Sequence, residues 1–129
     1  MSDKTPLEKL RLKSGMSAAL LHIPADLVSI LELPEGVSAS DDPARADFVL
    51  EFAASQAEAE ARITALAPSL AEKKVAWIGY PKGSKAAGYD LNRDTIFAFA
   101  RTVGLVLVAN FAINQEWSAL RIRPARPGE

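Results

Sequence analysis

The chain has 129 residues, 49% hydrophobic and 24% charged, which fits one globular domain with its own core. It has no cysteine and a single histidine, His22, which excludes disulfides, thiolate metal ligands and a multi-histidine zinc site within one chain. Fifteen basic and sixteen acidic residues leave a net charge of −1, so no general attraction to nucleic acid is expected, and no apolar run reaches the ~18 residues of a membrane span.

The N-terminal part of the chain predicts a short helix, a strand and a second helix. Thr5 to Glu8 form a capping box that opens a helix to about Leu12. Residues 17–23 are an apolar run typical of a buried strand. Pro24 is placed to begin a helix whose apolar face holds Leu27, Val28 and Leu31. Residues 37–40 predict a weak second strand.

The middle of the chain predicts a strand, a helix and another strand. The third strand covers residues 46–53, and the pair Ser55 and Glu58 then forms a capping box. Pro68 is expected to kink the helix that follows or to split off its last turn. Residues 75–79 predict the fourth strand, and a loop covers residues 80–89.

The C-terminal part of the chain predicts a helix and a hairpin. Asn92 caps the helix and Gly104 closes it. Residues 105–112 form a long apolar strand, and residues 117–123 return as its antiparallel partner. We expect residues 124–129 to form a frayed tail, as we do residues 1–4.

Strands that alternate with helices predict an α/β fold. We expect one domain over residues 1–129, with a mostly parallel, Rossmann-like sheet and helices on both faces. The C-terminal antiparallel hairpin is expected to form an edge of the sheet. The polar N-terminus is unlike a signal peptide, so the expected compartment is the cytoplasm.

The end of the first strand offers little to a common cofactor. Ligands of open α/β sheets bind beyond the carboxyl ends of the strands, and nucleotide or S-adenosylmethionine sites there need glycines and free backbone N–H groups. This chain has His22-Ile23-Pro24-Ala25-Asp26 instead, and proline has no N–H. Asp41 and Asp42 stand near the end of the second strand, where a ribose-binding carboxylate is expected, which keeps nucleotide binding open. We predict no cofactor.

The loop over residues 80–90 is the strongest local candidate for a ligand site. It begins with Tyr80, ends with Asp90, and carries Lys82, Ser84, Lys85 and two glycines. The lysines can attract a phosphate or carboxylate, with the serine hydroxyl as a further donor. The glycine and lysine spacing of a P-loop is absent. The alternative is a mobile surface loop that its lysines keep hydrated.

Two side chains outside this loop, His22 and Trp117, are candidates for the same ligand site, and they and Asp90 each have an alternative role. A lone histidine that ends an apolar strand, as His22 does, is more often packed and hydrogen-bonded than catalytic. Trp117 either covers the end of the sheet or stacks on a ligand. Asp90 either braces the turn before its helix or takes part in acid–base chemistry. No serine lies in a nucleophile elbow. We assign no catalytic residue and no metal ligand.

Spare aromatic residues indicate a protein partner. Phe97 lies off the main apolar stripe of its helix, which favours a subunit interface, so a second copy or another protein is a predicted partner. A basic C-terminal end contains Arg121, Arg123 and Arg126. Without interleaved aromatics or a known motif, it does not indicate a nucleic-acid site. We predict no membrane partner.

Two segments are the most distinctive of the chain, Trp77-Ile78-Gly79-Tyr80-Pro81-Lys82 and Glu116-Trp117-Ser118-Ala119-Leu120-Arg121. With Lys9 to Gly15, His22-Ile23-Pro24, Leu33-Pro34-Glu35-Gly36-Val37 and Asp90-Leu91, they resemble a family of small bacterial proteins of unknown function. The order of elements is also similar to the latter half of class I methyltransferases, including the final antiparallel strand. The resemblance implies no known reaction. It implies one recurring constellation, a site or a structural latch, of Trp77, Pro81, Lys82, Asp90, Trp117 and Ser118.

Two functions follow from these observations. The first is a non-enzymatic, methyltransferase-like module that binds a partner protein or a second copy, which the missing cofactor loop and the spare aromatics favour. The second is binding of, or reaction on, a small anionic ligand at the strand ends, with the loop over residues 80–90. We favour the first.

Overall fold

The computed structural model describes residues 6–70, 74–82, 88 and 90–129. In these residues one sheet contains six strands, β1 (Ser17–Leu21), β2 (Ser38–Ala39), β3 (Phe48–Phe52), β4 (Val75–Pro81), β5 (Leu105–Ala112) and β6 (Trp117–Pro124). Their order is β2-β1-β3-β4-β6-β5. The pairs among β1 to β4 are parallel, and β6 is antiparallel to both neighbours. The mostly parallel sheet with a C-terminal antiparallel pair is confirmed.

The antiparallel hairpin of β5 and β6 forms one edge of the sheet, as predicted, and within it β6 is the inner strand. β6 is inserted between β4 and β5, which leaves β5 as the outer strand. The physical reason is burial. The first four residues of β6 are all buried, whereas most of β5 beyond Val106 is partly or fully exposed. A strand whose first four residues are buried on both faces is suited to the interior of a sheet.

Three α-helices begin close to the predicted positions. They are α1 (Pro6–Lys9), α2 (Gln56–Leu66) and α3 (Arg93–Thr102). The Ser55 hydroxyl accepts a hydrogen bond from the Glu58 N–H at the start of α2, and Asn92 forms a reciprocal capping box with Thr95 at the start of α3. Pro68 lies in a 3-10 turn over Ala67–Ser69 that follows α2, as expected from its missing N–H.

The helix predicted after Pro24 is wrong. Only a 3-10 turn forms there, over Ala25–Leu27. Leu27 and Leu31 are buried as predicted, but Val28 is 57% exposed and Ile30 39% exposed. Since these two apolar side chains have no surface to pack against, tertiary contacts do not support further helical turns.

The core consists of one apolar layer on each face of the sheet. The α2 and α3 side buries Ile63 and Ile96 against the strands, and the α1 side buries Leu10 and Trp77. The Trp77 indole N–H donates to the Leu10 carbonyl at 2.9 Å, which fixes α1 on the sheet. Helices on both faces are therefore confirmed. Among the described residues, no helix is long and apolar enough to cross a membrane.

The segment after β6 folds back on it. Both guanidinium Nη atoms of Arg123 donate to the Glu129 carboxylate, at 2.8 and 2.7 Å. These contacts lie within the tail that we expected to fray, and fraying there stays a prediction. Residues 1–4 lie outside the described residues.

Candidate functional site

The carboxyl ends of β1 and β3 form the topological switch point of the sheet. The chain runs from β1 to β2 on one side and then crosses to β3 on the other. Ligands of open α/β sheets bind in the crevice that such a reversal opens. Here that crevice is a cleft of about 280 Å³, which we call the switch-point cleft, lined by His22, Pro24, Phe52, Ala53, Ala54, Glu58, Arg62 and Trp117.

His22 enters the cleft from an unusual backbone position. Its φ is 56°, in the left-handed region that non-glycine residues rarely adopt. The Nδ1 atom lies 3.2 Å from Oε1 of Glu51, a residue of the central strand β3 whose side chain is only 6% exposed. Burial raises the pKa of Glu51, although the charges of His22 and Arg62 oppose this shift. Among the described residues, no group donates to its buried Oε2 atom.

Arg62 of α2 forms the opposite wall of the cleft. Its Nε donates to the Phe52 carbonyl at 2.9 Å and lies 3.7 Å from Oε1 of Glu51. An Nη atom lies 3.6 Å from the Glu58 carboxylate. Arg62 therefore holds α2 against the end of β3 and balances one of the two carboxylates.

The segment after β1 lacks the features of a cofactor loop. Pro24 offers no N–H, and the 3-10 turn after it has three residues, too few for a helix N-terminus with a useful dipole. Asp42, near the end of β2, has a local role. Its Oδ1 accepts from the Ala44 N–H at 3.0 Å, and its Oδ2 lies 3.6 Å from the Arg45 guanidinium.

The structure brings two of the predicted site residues together, His22 and Trp117, which both line the switch-point cleft. Trp117 is 9% exposed and packs edge-on against Phe52, with ring centroids 5.6 Å apart. The indole therefore covers the end of the sheet and also forms a wall of the cleft.

The remaining candidates do not line this cleft. Tyr80 is buried in the α2 and α3 layer. The Lys82 N–H donates to the Glu116 carbonyl at 2.8 Å, which extends the β4 and β6 pairing. Ser84 and Lys85 lie outside the described residues, so an anion site in the loop over residues 80–90 stays a prediction.

Asp90 connects two helices at the same end of the sheet. Its Oδ1 accepts from the Gln56 N–H at 2.7 Å. This N–H belongs to the first turn of α2, whereas Asp90 lies two residues before Asn92, the N-cap of α3. The contact gives Asp90 a bracing role between the starts of the two helices.

Glu51 and Arg62 were missed by the sequence analysis. One signal was available, because Glu51 is the only charged residue among the apolar residues of β3, and charged side chains are almost never fully buried unless they are paired. The partners cannot be read from the sequence, since His22 and Arg62 reach Glu51 from two other elements.

A second surface lies between α3 and the outer strand. We call it the α3–β5 groove. It has a volume of about 450 Å³ and is lined by Arg93, Asp94, Phe97, Leu107, Val108, Ala109, Asn110 and Leu120. Phe97 is 40% exposed and Val108 44% exposed. The register with β6 shifts between Leu107 and Ala109, so Val108 has no partner on β6. In the described part of the chain, no group of three or more His, Asp or Glu residues could hold a metal ion.

No protein-family model matches the chain, and no curated protein matches it significantly. Several solved structures, in contrast, match the chain significantly. Ribosomal protein L11 methylase from Lactobacillus delbrueckii subsp. bulgaricus superposes with a TM-score of 0.57 at 10% identity, over 94% of this chain and 75% of that one. A variant of LepI, in complex with SAH and a substrate analogue, has a TM-score of 0.56 at 13% identity, over 92% of this chain. The B. subtilis M1A22 tRNA methyltransferase TrmK has a TM-score of 0.55 at 11% identity, over 97% of this chain and 67% of that one.

The chain spans only 38% of the length of LepI. At these identities the likeness shows the fold and carries no activity. The predicted fold-level likeness to class I methyltransferases is confirmed, and the chain has a methyltransferase-like α/β fold.

Proposed function

We propose that this chain is a non-enzymatic interaction module and that two copies pair through the outer strand β5. The observation that carries the proposal is an eight-residue edge strand, Leu105–Ala112, without charge or proline. Such an edge presents unpaired N–H and C=O groups to another chain. Proteins normally protect exposed edges with charges, prolines, bulges or a covering element, and among the residues that the structure describes β5 has only the bulge at Val108.

The segment that follows the carboxyl end of β1 supports a role without a nucleoside cofactor. By fold analogy with LepI, which was solved with SAM and with SAH, such a cofactor is expected at the switch point. Pro24 removes a donor there, and the cleft of about 280 Å³ lies below the roughly 300–1,000 Å³ of pockets for drug-sized ligands. We therefore expect SAM not to stabilise this chain.

The exposed apolar side chains support a partner at the α3–β5 groove. Among the described residues, four large hydrophobic side chains are exposed, and two of them, Phe97 and Val108, line this groove. Contiguous apolar surface of this kind marks interaction sites on soluble proteins. The partner is therefore expected to bury Phe97 and Val108 together.

A second copy suits this surface because the contact is self-complementary. Two antiparallel β5 strands related by a twofold axis exchange the same backbone hydrogen bonds. Val108 lies near the middle of Leu105–Ala112, and a twofold axis that passes at this residue places the two Val108 side chains directly opposite each other on one face. Arg93 and Asp94 both line the groove and give it one charge of each sign, which a twofold axis can pair across the interface.

Sedimentation equilibrium from low micromolar to high micromolar concentration tests the proposal. We expect the wild type to form dimers and Val108→Lys to remain monomeric, because two lysines at the axis repel each other. Val28→Lys is the matched control, since Val28 is more exposed and lies outside the groove. A wild type that stays monomeric throughout overturns the pairing. A rise in the melting temperature of the wild type with 1 mM SAM overturns the expectation that the chain binds no nucleoside cofactor.

A further inference from the structure

Arg11 and Arg121 lie on the same side of the sheet, the α1 side, opposite α2 and α3. Arg121 of β6 lies directly across from Trp77 of β4. The Trp77 indole donates a hydrogen bond to the carbonyl of Leu10, the residue before Arg11. Trp77 therefore places both arginines in one region of this face, which belongs neither to the switch-point cleft nor to the outer edge of β5.

Arg11 occupies a backbone position that favours glycine. The Leu12 N–H donates to the Leu7 carbonyl at 3.0 Å and the Arg11 N–H to the Glu8 carbonyl at 3.0 Å, which is the Schellman motif that ends a helix. Its left-handed residue is Arg11, with a φ of 76°. An arginine there is strained relative to glycine, and such strain is often kept for function.

Arg121 has a polar atom that the described residues leave unsatisfied. Its Nε is buried and has no hydrogen-bond acceptor among them. Burial lowers the pKa of Arg121, and the charges of Arg11 and Arg123 lower it further. Arg123 is compensated by Glu129, at 2.7 Å, whereas no carboxylate of the described residues forms an ion pair with Arg11 or Arg121.

We propose that Arg11 and Arg121 bind a phosphate-type dianion, either free or carried by a small molecule. Two guanidinium groups match two negative charges, and their N–H groups match the tetrahedral oxygens. A bound oxyanion supplies the acceptor that Nε of Arg121 lacks and removes the repulsion between the two arginines. One bound anion would then explain three unfavourable features together: the strained backbone at Arg11, the buried donor of Arg121 and the two like charges. This site is independent of the pairing through β5.

Thermal unfolding of the full chain at constant ionic strength tests the site. We expect 50 mM inorganic phosphate to raise Tm by about 3 °C relative to chloride, which corresponds to a Kd on the order of 10 mM for a domain of this size. Acetate, a monoanion, should give less than half of that shift. Phenyl phosphate distinguishes the two sources of the group, since a larger shift than with phosphate indicates a phosphorylated molecule and an equal one free phosphate.

Two variants locate the site. Arg11→Gly relieves the strained backbone and the charge repulsion, so we expect a higher Tm than wild type in chloride and no phosphate shift. Arg121→Met removes the unsatisfied donor and should also abolish the shift. Arg101→Gln removes an exposed guanidinium from the last turn of α3, outside both sites, and should leave the phosphate shift intact. The proposal is overturned if chloride matches phosphate, if Arg11→Gly keeps the shift, or if Arg101→Gln loses it.

Discussion

Gly79 lies against the ring of Phe52 so closely that a Cβ atom at position 79 would stand 2.5 Å from two of its ring carbons. Gly79 pairs with Phe52 across β3 and β4 and with Ala119 across β4 and β6. The absence of a side chain lets Phe52 lie flat over β4 and contact the Trp117 indole edge-on. The aromatic wall of the switch-point cleft therefore depends on a glycine that lines no part of it.

Gly79→Ala should lower the free energy of unfolding by about 1–3 kcal/mol, because the methyl group displaces a ring in a filled core. Urea unfolding measures this difference. Phe52→Leu in the same chain removes the clashing ring atoms, so the double variant should lose less than the sum of the two single variants. Additive losses would contradict the direct contact.

Asp90→Ala should destabilise the domain by about 1 kcal/mol, because it leaves the Gln56 N–H without its acceptor at the start of α2. Asp90→Asn keeps an oxygen acceptor and should lose less than half as much. Urea midpoints of both variants measure the effect. Equal stability of all three proteins would remove the bracing role and restore Asp90 as a candidate for ligand chemistry.

The Glu51 carboxyl should make stability depend on pH. Since burial raises its pKa above the ordinary 4.5, the folded chain binds this proton more tightly than the unfolded chain does. The contribution of Glu51 to stability is therefore greatest below pH 4.5 and decreases as the pH rises through the raised pKa. The free energy of unfolding of the wild type minus that of Glu51→Gln, measured with urea from pH 4 to 7, should decrease over that range.

The His22 Nδ1 atom lies 3.2 Å from Oε1 of Glu51, so the comparison is repeated in a His22→Asn background, which removes this ring. If the difference in free energy of unfolding between wild type and Glu51→Gln rises with pH in both backgrounds, the ion pairs, rather than burial, set the direction of the pKa shift of Glu51.

The Glu129 carboxyl should titrate far below its usual range. Hydrogen bonds from Arg123 and from the Arg126 backbone lower the pKa of Glu129 from 4.5 to about 2. Its contact with β6 is thus complete above pH 4.5 and is lost as the pH falls through about 2. An NMR titration of the carboxyl carbon measures this directly. Arg123→Gln should move the midpoint back toward 4.5, and a wild-type midpoint already there would show that residues 125–129 are frayed.

Local signals in the sequence predicted most of the fold. Ser55 and Asn92 begin α2 and α3 because their side chains accept backbone N–H groups, and Pro68 ends α2 because it lacks an N–H. The helix after Pro24 failed because helical spacing alone cannot show that Val28 has nothing to pack against.

The sites depend on contacts between distant segments, which the sequence shows only in part. His22 and Glu51 are 29 residues apart and meet because β1 and β3 become neighbours after β2 is placed on the far side. The position of β6 inside the sheet likewise decides that β5 is the open edge. Phe97, which lies off the stripe of its helix, was the one local sign of that surface.

A single-cysteine cross-link tests the pairing through β5 most directly, because the chain has no cysteine of its own. Opposed residues of antiparallel strands have Cα atoms about 4.5–5.5 Å apart, within the range that a disulfide spans. Mild oxidation of Val108→Cys should therefore convert most of the protein into a disulfide-linked dimer, while Val28→Cys stays largely monomeric. Equal, slow cross-linking of both variants would contradict the β5 interface.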